Sequence, residues 1–144
     1  MKNSISALVA SAICIAAICG CKNIVTFEAL PAEAQTFLTE NFPDSPVSYA
    51  VKEGNEYDVT LTDGTEIEFN GKGEWKTVEM KHKTVPAAVL ATLPPSVSSY
   101  LTSSFGNVPV EKVEKGTWPA YKAELVNGLE VYFNSKGICT KVDD

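Results

Sequence analysis

No arginine occurs anywhere in the 144 residues. The guanidinium fork that grips phosphate groups in a bidentate way is therefore missing. With no basic patch either, nucleic acid drops out as a partner. Histidine occurs once, as His82, between Lys81 and Lys83. A zinc centre needs several Cys or His ligands, and His82 and Cys139 do not supply that set at any usual spacing. A Ser-His-Asp arrangement requires only that a fold bring its parts together, but a linker histidine flanked by lysines is ordinarily a solvated side chain. No catalytic residue, metal ligand or cofactor is assigned, and the chain is expected not to be an enzyme. Cysteine is scarce where it could matter: Cys14 and Cys19 fall in the N-terminal segment, Cys21 at its end, and Cys139 stands alone. A disulfide framework is excluded. Cys139 reads as a small hydrophobe in a strand, since Lys141 alone is weak support for a reactive thiol. A long apolar run is also missing: Ile5 to Cys19 falls short of the roughly 20 residues a spanning helix needs.

That short run has its own meaning. Lys2 gives a positive start, and Ile18-Cys19-Gly20-Cys21 resembles a bacterial lipobox, in which the cysteine becomes the lipidated first residue of the mature protein. The alternative is an uncleaved anchor. The expectation is a lipoprotein signal at 1–20, lipidation of Cys21, a tether at 21–29, and a lipid-anchored protein of the outer membrane facing the periplasm or the cell surface. Removing 1–20 takes away Lys2 and no acid, so the formal charge moves from −6 to −7.

What the chain does have is a repeat. Tyr57 to Gly73 reads YDVTLTDGTEIEFNGKG, and Tyr121 to Gly137 reads YKAELVNGLEVYFNSKG, 64 positions on. Upstream the echo is shifted by 63: Leu30, Phe37, Leu38, Phe42, Pro46 and Val47 meet Leu93, Tyr100, Leu101, Phe105, Pro109 and Val110. Repeats of this kind govern the whole architecture. Each unit is one amphipathic helix followed by strands, at 30–81 and 82–144.

The strands alternate with period two. Tyr57, Val59, Leu61, Ile67 and Phe69 share one face; Asp58, Thr60, Glu66 and Glu68 share the other. Asp63-Gly64 suggests a two-residue hairpin, but that would oppose Leu61 to Glu66, and opposed residues share a face. A three-residue loop, Thr62-Asp63-Gly64, pairs Leu61 with Thr65, Val59 with Ile67 and Tyr57 with Phe69, with Gly64 in the left-handed position. The second copy obeys the same parity through Val126-Asn127-Gly128. The following turns bring Trp75 beside Phe69 and Cys139 beside Phe133; Val78 and Val142 then point away from that face unless a bulge intervenes.

In order, the spacing predicts a helix from Pro31 to about Asn41 and strands at about 47–52, 56–62, 65–70 and 74–80. A short helix at 85–93, a second at 96–104 and strands near 108–114, 120–126, 129–134 and 138–142 follow. Helices followed by runs of strands indicate an α+β fold: two tandem helix-plus-antiparallel-strand repeats forming a helix-backed concave sheet.

The helix that starts at Leu30-Pro31 and ends at Phe42-Pro43, the Tyr-x-Val-x-Leu-x-Asp-Gly-x-Glu-Ile-x-Phe run from Tyr57, and Gly73-Glu74-Trp75 resemble the PepSY-like family of exported proteins of Bacteroides-type bacteria. The resemblance covers nearly all of the mature chain in two copies. It implies a fold similar to the β-lactamase inhibitory protein and carries over no catalytic residue. The second copy departs from it in having Cys139 where the first has Trp75.

The open face is where function is expected. The register opposes Asp58 to Glu68 and Thr60 to Glu66, and like charges directly opposed weaken a sheet. Either this acidic face takes Ca²⁺ or a basic partner, or Lys76 or Lys52 compensates it. The second copy has Lys122 where the first has Asp58. Tyr132, where the first copy has Glu68, and Trp118, beside Pro119, are contact residues or covers for local apolar surface. The expected role is a non-enzymatic, inhibitor-like envelope module that binds a protein or peptide through Asp58, Thr60, Glu66, Glu68, Lys122, Glu124, Glu130 and Tyr132. The alternative is an envelope protein that binds a small solute or calcium. β-Lactamase inhibition itself would rest on fold analogy alone.

Overall fold

The computed structural model describes residues 23–144; the expected signal segment 1–20 and the lipidation site Cys21 lie outside them. Within the described residues the chain forms nine strands and three helices. The strands are β1 (Asn23–Ile24), β2 (Val47–Glu53), β3 (Glu56–Leu61), β4 (Glu66–Asn70), β5 (Trp75–Glu79), β6 (Val110–Lys115), β7 (Tyr121–Leu125), β8 (Glu130–Phe133) and β9 (Cys139–Asp143). The helices are α1 (Ala32–Asn41), α2 (Ala87–Leu90) and α3 (Pro95–Phe105). All nine strands pair in chain order in one open antiparallel sheet. No helix among the described residues is long and apolar enough to cross a membrane.

Side-chain parity fixes the hairpins. Tyr57 faces Phe69 and Val59 faces Ile67; Tyr121 faces Phe133 and Ala123 faces Val131. The Leu61 N–H donates to the Thr65 carbonyl at 2.9 Å, and the Leu125 N–H to the Leu129 carbonyl at 2.9 Å. Both loops therefore hold three residues, with Gly64 at φ 85° and Gly128 at φ 87°.

A bulge in β5 turns Val78 toward the core. Phe69 pairs with Trp75, the register then slips, and Glu68 faces Thr77 and Ile67 faces Val78. Lys76 is the extra residue, so Trp75 and Val78 both reach the core. The same slip falls between Tyr132 and Phe133 against β9. Val142 regains core parity there but remains 41 % exposed, because β9 is the sheet's edge. A second pair of bulges lies at Val47/Tyr49 and Val110/Lys112.

Two differences from the expected elements have simple causes. Within the tether or lead-in expected before the first helix, Asn23 and Ile24 pair with Lys52 and Val51 as an edge strand, and Phe27–Ala29 form one turn of 3-10 helix. The strand is two residues long, too short for a periodic signal. The helix expected at 85–93 shrinks to α2, and α3 starts at Pro95. Proline suits the first turn, where its missing N–H has no intrahelical partner to lose.

The core lies between the helices and one face of the sheet. Phe69 and Phe133 are fully buried, as are Val59, Ile67, Leu61, Leu125 and Val131 at 2 % exposure or less. Phe37 of α1 meets Phe69 edge-on, with ring centroids 5.7 Å apart, and Tyr100 of α3 meets Phe133 in the same way at 5.8 Å. Each of these rings also contacts the aromatic residue at the end of its helix, Phe42 or Phe105. The turns after β4 and β8 press against the helix starts. A Cβ on Gly73 would lie 2.7 Å from the Ala34 nitrogen, and one on Gly137 would lie 2.3 Å from the Ser96 oxygen.

Candidate functional site

The helices cover only one face of the sheet, and period two places the remaining side chains on the other. Across β3 to β9 that face carries Asp58 and Thr60, Glu66 and Glu68, Thr77 and Glu79, Lys112 and Glu114, Lys122 and Glu124, Glu130 and Tyr132, then Lys141 and Asp143. All eight residues singled out in the sequence therefore share one face, in two groups.

The first group, Asp58, Thr60, Glu66 and Glu68, lines a hollow of about 220 Å³ together with Thr77, Glu79 and Lys112. The opposed acids are compensated from outside the hairpin. The Thr77 hydroxyl donates to Glu68 at 2.9 Å, Lys81 pairs with Glu66 at 2.9 Å, and Lys76 pairs with Glu56 at 2.5 Å. The Glu56 hydrogen bond is the main reason Lys76 sits above its ordinary pKa, with Glu68 and Asp58 adding to it. The Lys52 ammonium lies over the Tyr57 ring at 5.5 Å. Among the described residues, no group of three or more His, Cys, Asp or Glu is arranged to hold a metal ion.

The second group is a chain of alternating charge. Lys112 lies 3.6 Å from Glu79 and 3.4 Å from Glu114. Lys122 lies 3.3 Å from Glu114 and 2.6 Å from Glu130, and the Tyr132 hydroxyl donates to Glu130. The Lys141 ammonium sits 5.4 Å from the centre of the Tyr132 ring. Glu124 joins through register only, opposite Lys112 and Glu130. Trp118 extends this side: it is 82 % exposed and shares a hollow of about 220 Å³ with Pro119, Lys122 and Tyr132.

Lys112 joins the two groups, since it lines the first hollow and begins the second chain. Sequence reasoning missed Lys112, Glu114, Thr77 and Glu79 because it paired strands only within each unit. The β5–β6 pairing, Thr77 with Glu114 and Glu79 with Lys112, joins the halves. The alternation in Val110-Glu-Lys-Val-Glu-Lys115 was the available signal, masked by the bulge after Val110.

The charge chain has a pH signature. Lys122, then Tyr132, hold the Glu130 carboxyl below its ordinary 4.5. Burial would raise Asp63, but the Thr65 N–H and Lys83 outweigh it and bring that carboxyl below 3.8. A folded value below the unfolded one means stability that is present above the unfolded value and lost as pH falls through the folded one. We expect the melting temperature to fall on acidification from about pH 5 downward. In Lys122→Met the fall should be shallower, because Glu130 then titrates nearer its ordinary value. Melting curves from pH 7 to pH 3 at low and high salt check this.

A family model described as "Putative beta-lactamase-inhibitor-like, PepSY-like" matches residues 55–141. Three solved structures share the fold at a TM-score of 0.78. A "putative periplasmic protein of unknown function" from Bacteroides vulgatus is 32 % identical over 84 % of this chain and 98 % of its own. A "putative calcium-regulated periplasmic protein" from Bacteroides thetaiotaomicron is 30 % identical over 85 % of this chain and 97 % of its own. A second Bacteroides vulgatus protein is 29 % identical over 87 % of this chain and 98 % of its own. No curated protein matches the chain.

Proposed function

This chain belongs to the PepSY-like, β-lactamase-inhibitor-like family, and from that premise we propose that it is a non-catalytic envelope protein binding a protein or peptide on its open sheet face. It consists of two copies of one helix-and-sheet unit, 30–81 and 82–144, joined edge to edge. Matched hairpin registers, matched bulges and the matched approach of Gly73 and Gly137 to their helices support that duplication. It is exported, a location that the names of its relatives favour, and held to the outer membrane by lipid on Cys21. Loss of membrane association and of the lipid mass in Cys21→Ser would test the anchor.

The observation that carries the binding assignment is the segregation of side chains. Every helix packs on one side of the sheet. The other side offers a continuous polar surface with aromatic residues Tyr132 and Trp118 at one end and acids at the other. A surface of mixed charge with an exposed aromatic anchor suits a protein partner. The contacts are Asp58, Thr60, Glu66, Glu68, Lys122, Glu124, Glu130 and Tyr132, extended by Lys112 and Trp118. With an isolated partner, Glu68→Lys/Glu130→Lys and Trp118→Ala should each weaken binding by about tenfold or more. Full affinity in both would remove the face from the account.

A second reading is calcium binding at the hollow of Asp58, Glu66, Glu68 and Glu79. The number of acids in that hollow favours it, and so does the calcium-regulated name of the Bacteroides thetaiotaomicron relative. It stands second because, among the described residues, no three of those acids are arranged around a metal ion, and Lys81 and Lys112 already pair with Glu66 and Glu79. A calcium titration to millimolar levels, followed by thermal melting, decides: a saturable stabilisation removed by Glu68→Gln establishes the site, and an unchanged melt ends it.

A further inference from the structure

On the helix side, at the seam where the two halves meet, a cavity of about 500 Å³ opens between α1, the β4–β5 turn and the end of β6. Phe37 and Trp75 form its apolar wall, Glu33 and Glu74 its acidic rim, and two lysines line it: Lys76, already paired with Glu56, and Lys115. Lys115 faces Tyr121 across the β6–β7 ladder, so strand parity sends it to the helix side, away from the charge chain.

The state of Lys115 is unusual for this protein. Its ammonium lies 3.7 Å from the centre of the Trp75 ring. It forms no direct salt bridge among the described residues and feels Glu74 and Glu33 only through space, whereas Lys76, Lys81, Lys83, Lys112, Lys122 and Lys141 all pair with carboxylates. Burial pulls it below the ordinary lysine range; Glu74 and Glu33 act against this without restoring it. A half-buried ammonium whose nearest acids make no direct contact with it is costly, and a ring face offsets only part of the loss.

The charges around it select the missing partner. A simple anion would have to pass Glu33 and Glu74; a simple cation would meet Lys115. A ligand carrying both charges a few ångströms apart satisfies both, and an apolar group on it fits the Phe37–Trp75 wall. Pockets of some 300–1,000 Å³ are the usual size for small-molecule sites. We propose that this cavity binds a zwitterionic α-amino compound, a free amino acid or dipeptide, with its carboxylate on Lys115 and its ammonium toward Glu33 and Glu74. The second half has no such site. Glu33, Glu74 and Trp75 correspond there to Ser96, Ile138 and Cys139. The site is thus a product of joining two units, and it explains why the halves differ at Trp75 and Cys139.

With only two tryptophans in the chain, Trp118→Phe leaves Trp75 as the sole indole reporter. The probes are leucine and glycyl-leucine, with leucinamide lacking the carboxylate and N-acetylleucine lacking the ammonium. We expect saturable quenching or a spectral shift with leucine or glycyl-leucine, and binding of both blocked probes at least about tenfold weaker. Lys115→Met should lose binding by a similar factor. Glu33→Gln should weaken leucine and leave N-acetylleucine unchanged, which keeps the proposal testable should Lys115→Met fail to fold. No response to any probe at about 20 mM, blocked probes binding as well as leucine, or unaltered binding in a folded Lys115→Met would each overturn it.

Discussion

Phe133→Ala is expected to lower the unfolding free energy by about 3–5 kcal/mol, and Phe69→Ala by a similar amount. Both rings are fully buried, and each is met edge-on by a helix aromatic, Tyr100 or Phe37. Removing either ring forfeits its burial and leaves a void that the facing helix cannot close without shifting. The neighbouring residue supplies the control. Tyr132 precedes Phe133 in β8 but lies on the other face, so Tyr132→Ala should cost a small fraction of that. Urea unfolding measures all three. A Phe133→Ala loss below about 1.5 kcal/mol would mean that the second half's core is not built on this ring.

Gly73→Ala should destabilise more than Gly64→Ala, although both residues have positive φ, 92° and 85°. A left-handed conformation costs a side-chain-bearing residue about 1–2 kcal/mol at either place. At Gly64 nothing lies within 4 Å of the added carbon, so that cost is the whole effect. At Gly73 the added carbon would lie 2.7 Å from the Ala34 nitrogen and 2.9 Å from the Pro31 Cβ. Backbone and a proline ring cannot swing aside, so the turn must lift from α1 and Phe69 and Trp75 shift with it. We expect a total of about 3 kcal/mol or more for Gly73→Ala, against about 1 for Gly64→Ala. Equal losses, measured by the same urea unfolding, would show that the turn does not bear on the helix.

Much of the fold is legible in the sequence because two copies constrain one another. A loop length that put Leu61 opposite a glutamate would do the same to Leu125, and only the three-residue loop satisfies both. What resisted was whatever breaks period two or joins units. The bulge at Lys76 decides where Val78 points, but an extra residue in a strand leaves no residue-type signature. The β1 edge strand is two residues long, below the length at which alternation can be seen. The β5–β6 pairing rests on contacts between units, which an internal repeat does not encode.

The candidate site divides in the same way. The eight face residues follow from parity and share the face. Lys112 and Glu114 were hidden behind the bulge at β6, and they turn two separate groups into one surface. The compensation of the acids was foreseen in Lys76, while Lys52 goes to the Tyr57 ring. The seam cavity could not be read at all: Trp75 and Lys115 are 40 positions apart and meet only because β5 pairs with β6.

The direct test of the open face is a quantitative capture from envelope extract with three baits: the unaltered protein, Glu68→Lys/Glu130→Lys, and Glu40→Lys, a charge reversal on the exposed side of α1. The account predicts that proteins retained by the unaltered bait are also retained by Glu40→Lys and are lost from Glu68→Lys/Glu130→Lys. Equal retention by all three, or loss only with Glu40→Lys, would contradict it.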